Sequence, residues 1–224
     1  MPKKVILFDF DGTIAPTIAV GVSVFNELAR EHGFLEITPK NAVDLRKKGP
    51  WQVMQALHIP KMKVPLVVAR LRKGVQLKIG ALAVGEDMRK VLLTLKQKGY
   101  GLGIVTSSSK ANVLEFLKKN QLEIFDYIEA GSGLFFKARA IKKVIARHHL
   151  QKTDIAFVGD EIRDVAAARK NNITAVAVVW GANSREGLAS EHPDFIADTP
   201  PALATILSRV SRGEHHVVAN AVDR

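Results

Sequence analysis

The feature that most constrains this chain is an alternation of apolar, strand-like runs with amphipathic helical patterns. The apolar runs lie at residues 3–12, 100–107, 127–131, 154–161 and 174–181, with a short further run at 194–198. Helical patterns lie between the later runs, at residues 85–99, 110–122, 138–150 and 162–172. This alternation indicates βαβ units, in which helices cover a sheet of parallel strands. The sequence therefore predicts an α/β fold with a doubly wound, Rossmann-like parallel sheet.

One long interval interrupts the alternation. About 85 residues separate the first strand from the second, far more than the dozen or so that a crossover needs. Within it, residues 17–78 read as helices only, punctuated by Pro39, Gly49-Pro50 and Pro60. We predict that 17–78 form a small helical cap domain, inserted after the first strand of a core made of 1–16 and 79–210. Residues 211–224 are expected to form a flexible C-terminal tail.

Composition and charge limit the function classes. The chain has 224 residues and a formal net charge of +11, but its basic residues occur as short pairs on helical patterns without interleaved aromatics. This favours a solvated basic surface over a nucleic-acid site. Because there is no cysteine, a metal would be held by oxygen or imidazole. No apolar run approaches the ~18 residues of a membrane span, and the N-terminal run is too short for a secretory signal. We therefore expect a cytoplasmic protein without a membrane partner. We also expect a monomer or a homodimer.

The first strand-like run, "VILFDFDGT" at 5–13, ends in two aspartates, although aspartate is depleted in strands. Side chains alternate between the two faces of a strand, so Phe8 and Phe10 share one side while Asp9 and Asp11 share the other. In an open parallel sheet the ligand crevice lies beyond the carboxyl ends of the strands. Two carboxylates converging there require a shared proton or a divalent cation.

Other chemically capable residues follow later strands. Thr106 begins the hydroxyl run "TSSS" after the second strand, and the amides there could hold an anion. Lys137 follows the third strand as a lone cation among apolar residues. Asp160 and Asp164 follow the fourth strand in "GDEIRD", spaced to share one face of a helix. All of these groups are expected at one rim of the sheet.

With these motifs, the sequence resembles the haloacid dehalogenase superfamily of phosphohydrolases. The resemblance is carried by "DFDGT", "VTSSS", Lys137 and "GDEIRD", in that order, and it covers nearly the whole chain. A helical insertion directly after the first motif looks like the phosphoglycolate phosphatase and β-phosphoglucomutase branch. The chain departs from those relatives at "IAPT" (14–17), where they often carry an acid, and at "ARA" (138–140), where many have a proline.

The resemblance implies a phosphatase acting on a small-molecule phosphomonoester, with phosphoglycolate as one candidate substrate. It implies that Asp9 is the nucleophile that forms an aspartyl-phosphate and that Asp11 is the general acid and base. Thr106 and the Ser107 amide would bind the transferred phosphoryl group, and Lys137 would offset negative charge. Mg²⁺ would be held by Asp9, the Asp11 carbonyl, Asp160 and Asp164.

Alternatives stay open for several site residues. Asp160 could be a helix N-cap and Asp164 a first-turn acid, with Glu161 as the outer metal ligand in its place. Thr106 could be a cap, with Ser107 or Ser108 as the phosphate donor. Lys142 and Lys143 compete with Lys137, but their positions lie inside a helical pattern that faces solvent.

The cap is expected to select the substrate and close on it, with Arg46, Lys47 or Lys48 directing a cation toward an acidic leaving group. The alternative for these three is a solvated helix end. Trp51 and Met54 fit the cap core better than a substrate contact. Three alternative functions remain: a phosphosugar mutase, a phospho-accepting receiver-like protein and a basic nucleic-acid-binding protein.

Overall fold

The strands of the computed structural model form one parallel sheet. The described residues are 4–131, 133 and 136–210. Within them the strands are β1 (Val5–Phe8), β2 (Gly101–Val105), β3 (Tyr127–Glu129), β4 (Ile155–Gly159), β5 (Thr174–Val178) and β6 (Phe195–Ala197). Every neighbouring pair is parallel and the order is β3-β2-β1-β4-β5-β6. The predicted α/β fold with a doubly wound parallel sheet is confirmed.

The strand order places a topological switch point beside β1. From β1 the chain winds outward through β2 to β3, and then it returns to β4 on the other side of β1 and winds outward to β6. Ligands of open α/β sheets bind in the crevice that such a reversal opens beyond the carboxyl ends of the strands. The ends of β1 and β4 therefore flank the expected site.

The interval between β1 and β2 is helical, as predicted. It contains α1 (Ile18–His32), α2 (Pro39–Leu45), α3 (Pro50–Ala56) and α4 (Val64–Lys78). Proline stands in the first turn of α2, α3 and α4, where its missing N–H is not needed. The insertion buries an apolar cluster of its own, which includes Phe25, Leu28, Leu45, Leu57 and Val64. The exact boundaries of the predicted cap, 17–78, and of the core stay a prediction.

The remaining helices cover the two faces of the sheet. They are α5 (Glu86–Gln97), α6 (Lys110–Lys119), α7 (Lys137–Arg147), α8 (Ile162–Lys170), α9 (Arg185–Ala189) and α10 (Pro200–Val210). Ile6 and Phe8 pack on one face with residues of α5, α6 and α10. Val5 and Leu7 pack on the other face with residues of α7 and α8. The strand is therefore buried on both sides, as is usual in a parallel sheet.

Two further expectations concern membrane spans and the C-terminal tail. Among the described helices, none is both long enough and apolar enough to cross a bilayer. The predicted C-terminal tail, 211–224, lies outside the described residues.

Candidate active site

The residues singled out at the strand ends meet at the carboxyl edge of the sheet. Asp9 directly follows β1, and its N–H donates to the carbonyl of Val158 in the neighbouring β4 at 2.8 Å. Asp160 directly follows β4, so these two acids flank the switch point. Lys137 is the first residue of α7 and Asp164 lies in the first turn of α8. All four side chains are buried, although charged groups are rarely buried without a partner.

Lys137 links the acids of two different motifs. Its Nζ lies 2.7 Å from Asp9 Oδ2 and also contacts Asp164 Oδ1. Burial by itself would lower the pKa of Lys137, but Asp164 and Asp9 raise it above the ordinary lysine value. The competing Lys142 and Lys143 are exposed on α7, and Lys143 pairs with Glu129 at 2.5 Å. Lys137 is therefore a fixed cation at the centre of the acidic group.

Asp9, Asp160 and Asp164 form the candidate metal centre. One oxygen from each can be chosen so that all three lie within 4.8 Å of one another. Asp160 accepts hydrogen bonds from Thr13 Oγ1 at 2.6 Å and from the N–H of Ala182 at 2.7 Å. The three groups are buried carboxylates, and hard oxygen donors are those that Mg²⁺ prefers. The donor set fits Mg²⁺.

The sequence left several roles open for the acids that follow β4, and in the structure each of them has its own contacts. Glu161, not Asp160, is the N-cap of α8, and its carboxylate pairs with Arg163 at 2.5–2.7 Å. Asp164 Oδ2 accepts from the Glu161 N–H at 3.1 Å, while its Oδ1 contacts Lys137. Asp164 thus completes the capping box of α8 from its first turn and faces the acidic cluster at the same time.

Two glycines leave room for the Asp160 carboxylate. A Cβ at Gly181 would lie 2.1 Å from Asp160 Oδ2, and one at Gly12 would lie 2.3 Å from the same atom. Gly12 also has a φ of +82°, which few residues with a side chain adopt. Gly181 was not singled out in the sequence, because it follows β5 in a segment without charged groups.

Asp11 has a different environment from Asp9. Its Oδ2 accepts a hydrogen bond from Ser108 Oγ at 2.6 Å, and its carboxylate is not one of the three in the metal centre. Desolvation raises the pKa of Asp11 above its ordinary value, and hydrogen bonds from Ser108 and Thr17 offset part of that rise. A carboxyl group in this environment takes up a proton more readily than an ordinary aspartate.

The hydroxyl residues that follow β2 make different hydrogen bonds. Thr106 is fully buried, and its Oγ1 accepts from the Ser108 N–H at 3.0 Å. Ser109 is the N-cap of α6, where its side chain accepts from the Asn112 N–H, so Thr106 does not have the capping role considered for it. Ser107 is half-buried between them. The sequence pointed to the run, but it did not predict the Ser108–Asp11 bond.

The three cap cations have partners away from the acidic cluster. Arg46 donates to main-chain carbonyls of residues 179–182, Lys47 pairs with Glu186 at 2.8 Å, and Lys48 donates to the Asp44 carbonyl at 3.2 Å. The structure thus brings Arg46 to the loop after β5, whereas the sequence analysis directed it toward a leaving group.

A cleft of about 630 Å³ lies between the cap and the core. The cap contributes Lys47, Trp51 and Gln52 to its lining, and the core contributes Lys137 and Arg163 among others. Trp51 is half-exposed here, whereas Met54 packs against the apolar cluster of the cap. The expectation of a core position therefore fits Met54 and not Trp51.

The pKa of Asp164 leads to a first prediction, on stability. Burial raises this pKa to about 7, although Lys137 acts in the opposite direction. Between its ordinary value of 3.8 and about 7, Asp164 therefore binds a proton more strongly in the folded protein than in the unfolded chain. We expect this group to make the thermal unfolding midpoint of the metal-free protein fall as pH rises through this range, and Mg²⁺ to reduce the fall.

Asp164→Asn is the matched control for this prediction. The amide does not titrate, so the variant should show a weaker dependence of its unfolding midpoint on pH between 5 and 7. Identical pH dependence in the two metal-free proteins would contradict the prediction.

Comparison with known sequences decides the family. The family model described as haloacid dehalogenase-like hydrolase matches residues 6–178. The chain belongs to this family. It is 32% identical to a phosphoglycolate phosphatase of Synechococcus elongatus, over 93% of this chain and 99% of that protein. It is also 29% identical to the pyrophosphatase PpaX of Anoxybacillus flavithermus, over 57% of this chain and 61% of that protein.

Solved structures agree at the level of the fold. A predicted phosphatase from Clostridium acetobutylicum superposes with a TM-score of 0.78 at 20% identity, covering 93% of this chain and 100% of that one. The resemblance to haloacid dehalogenase-like hydrolases inferred from the motifs is confirmed. This haloacid dehalogenase-like hydrolase is an enzyme of the phosphoric monoester hydrolase class.

Proposed function

We propose that this hydrolase is a Mg²⁺-dependent phosphatase that cleaves a small-molecule phosphomonoester through an aspartyl-phosphate on Asp9. The observation that carries the proposal is the difference in environment between the two aspartates of the first motif, Asp9 and Asp11. Asp9 is held by Lys137 at 2.7 Å beside Asp160 and Asp164, whereas Asp11 is held by Ser108 at 2.6 Å and is desolvated. One acid is therefore suited to attack as a carboxylate and the other to give up a proton.

In the first step, an Asp9 carboxylate oxygen attacks phosphorus and the bond to the leaving oxygen breaks. Asp11, protonated at the start, transfers its proton to that oxygen. The raised pKa of Asp11 supports its role as the acid. Thr106 and the Ser107 amide are proposed to bind the phosphoryl oxygens, and Lys137 to offset their charge.

In the second step, Asp11, now a carboxylate, takes a proton from water as the water oxygen attacks phosphorus. The bond between phosphorus and the Asp9 oxygen breaks, so phosphate leaves, the Asp9 carboxylate is restored and Asp11 is protonated again. Mg²⁺, held by Asp9, the Asp11 carbonyl, Asp160 and Asp164, would supply Lewis-acid stabilisation of the charge on the phosphoryl group. The convergence of three buried carboxylates, with one oxygen of each within 4.8 Å of the others, supports this assignment.

The substrate is proposed to place its leaving group in the cleft between cap and core. Lys137 lines this cleft and contacts the nucleophile, and Lys47 and Trp51 face it from the cap. Phosphoglycolate is the first candidate, because the relative matched over 99% of its length is a phosphoglycolate phosphatase. Pyrophosphate is the second, because of the relative named pyrophosphatase. We further propose that the enzyme acts in the cytoplasm.

The test is phosphate release from a panel of phosphate compounds, with Mg²⁺ and with excess chelator. We expect phosphoglycolate, another small ester or the anhydride pyrophosphate to be hydrolysed with Mg²⁺, and the rate to fall by about 100-fold or more in chelator. An aryl phosphate serves as the generic substrate, so that failure on every specific ester can be separated from an inactive preparation. Full activity in chelator would contradict the metal role. Transfer of phosphate to a sugar hydroxyl instead of water would favour the mutase alternative.

A further inference from the structure

Asn183 joins the cap to the segment that carries Asp160. The side chain is buried in the loop after β5. Its Nδ2 donates to the carbonyls of Arg46 at 2.8 Å and Lys48 at 2.9 Å, both in the turn between α2 and α3. Its Oδ1 accepts from the N–H of Ile162 at 3.0 Å, at the start of α8. One amide thus bonds the cap on one side and the metal-site segment on the other.

Arg46 bonds the same loop from the cap side. Its Nη2 donates to the carbonyls of Val179 at 2.9 Å and Gly181 at 3.1 Å, and its Nε donates to that of Ala182 at 3.2 Å. A guanidinium can reach several carbonyls at once because its donors form a rigid fork. These bonds fix the loop only while the cap lies against the core.

The same loop holds the carboxylate of the proposed metal ligand. The N–H of Ala182 donates to Asp160 Oδ2 at 2.7 Å, and the N–H of Asn183 donates to the Asp160 carbonyl at 3.1 Å. Arg46 therefore bonds the carbonyl of the residue whose N–H orients Asp160. A single loop residue, Ala182, therefore connects the Arg46 side chain of the cap to the carboxylate of Asp160.

We propose that Arg46 and Asn183 are positioning residues that hold Asp160 in its metal-binding orientation when the cap is docked. This rests on the proposed metal role of Asp160. Because coupling between two events is reciprocal, metal binding also stabilises the docked cap. Arg46 thereby acts through the loop at 179–182 and not on the leaving group.

The test measures Mn²⁺ affinity, without substrate, in wild type, Arg46→Ala and Asn183→Ala. Loss of a group that orients a metal ligand typically weakens metal binding by about 10- to 100-fold, and we expect both variants to fall in this range. Hydrogen exchange of residues 46–56 is followed in parallel. We expect Mg²⁺ to slow this exchange in wild type and to have a smaller effect in both variants.

Glu186→Gln is the matched control. It removes the ion pair between Lys47 and Glu186, which crosses the same junction but is partly exposed and does not touch the loop carbonyls. An exposed pair contributes little, so we expect less than about a twofold change in Mn²⁺ affinity. Arg46 is itself exposed, so Arg46→Ala should fold even if replacing the buried Asn183 does not.

Activity at increasing Mg²⁺ separates positioning from general damage. If the variants are impaired in metal retention, their kcat approaches that of wild type at saturating Mg²⁺. Unchanged Mn²⁺ affinity in Arg46→Ala would overturn the proposal, as would a kcat that stays low at saturating Mg²⁺ with normal metal affinity. If wild type itself bound no Mn²⁺ or Mg²⁺, the proposed function and this coupling would both be wrong, an outcome distinct from a failure of the coupling alone.

Discussion

Asp9→Asn is expected to abolish both turnover and the trapped phosphoenzyme. An amide oxygen is a poor nucleophile toward phosphorus, and removing the nucleophile of a covalent mechanism costs on the order of 10⁴-fold or more in kcat. The substitution keeps the shape of the side chain, and Lys137 keeps its ion pair with Asp164, so the fold should persist. Phosphate release and acid-quench trapping of labelled phosphoenzyme measure the two effects separately.

Asp11→Asn distinguishes the two aspartates. It should lower turnover by about 10²- to 10⁴-fold, the usual contribution of a positioned acid–base group. A substrate whose leaving group needs no protonation should still phosphorylate Asp9 in this variant, so that phosphoenzyme accumulates. Asp87→Asn, on the exposed first turn of α5, is the control for loss of a carboxylate. Appreciable turnover by Asp9→Asn above the level of a mock purification would contradict covalent catalysis at Asp9.

Lys137→Met is expected to impair both catalysis and folding. The ammonium lies between Asp9 and Asp164, and all three side chains are at most 3% exposed. Removing one partner of a buried ion pair leaves uncompensated charge and costs about 3–5 kcal/mol of stability. Loss of a group that stabilises transition-state charge costs about 10²- to 10³-fold in kcat. Thermal unfolding and steady-state kinetics measure the two losses.

The stability loss should depend on Mg²⁺ and pH. Without Lys137, the carboxylates repel each other more strongly, so added Mg²⁺ or a lower pH should recover part of the unfolding midpoint. Lys142→Met is the matched control, because Lys142 is exposed on the same helix. If the two variants had the same midpoint and the same kcat, the central role of Lys137 would be wrong.

Much of the site was predictable because the fold places strand ends together. The alternation of strands and helices required a parallel sheet, and a parallel sheet brings residues that follow its strands to one edge. The sequence could therefore indicate Asp9, Asp11, Thr106 and Asp160 without knowledge of any contact. Their catalytic and metal-binding roles remain predictions.

Other parts could not be read from local patterns. Gly181, Ala182 and Asn183 surround Asp160, but they follow a different strand and have no distinctive spacing relative to it. The bond between Asn183 and Arg46 joins residues 137 positions apart. Arg46 was assigned to the leaving group because a helix end at a Gly-Pro turn could face the crevice, yet its guanidinium lies on core carbonyls.

The sequence by itself determined the α/β class, the helical insertion after β1 and the edge at which the chemical groups collect. Hydrophobic periodicity and the geometry of parallel strands are local rules, and they suffice for those features. Only the tertiary structure decided which charges meet, since Lys137 could pair with Asp9 and Asp164 only after α7 and α8 had packed on the sheet. It also decided how the cap contacts the loop beside Asp160, because that junction consists of hydrogen bonds from the side chains of Arg46 and Asn183 to main-chain carbonyls of distant segments. Every residue carries such groups, so their pairing leaves no pattern in the sequence.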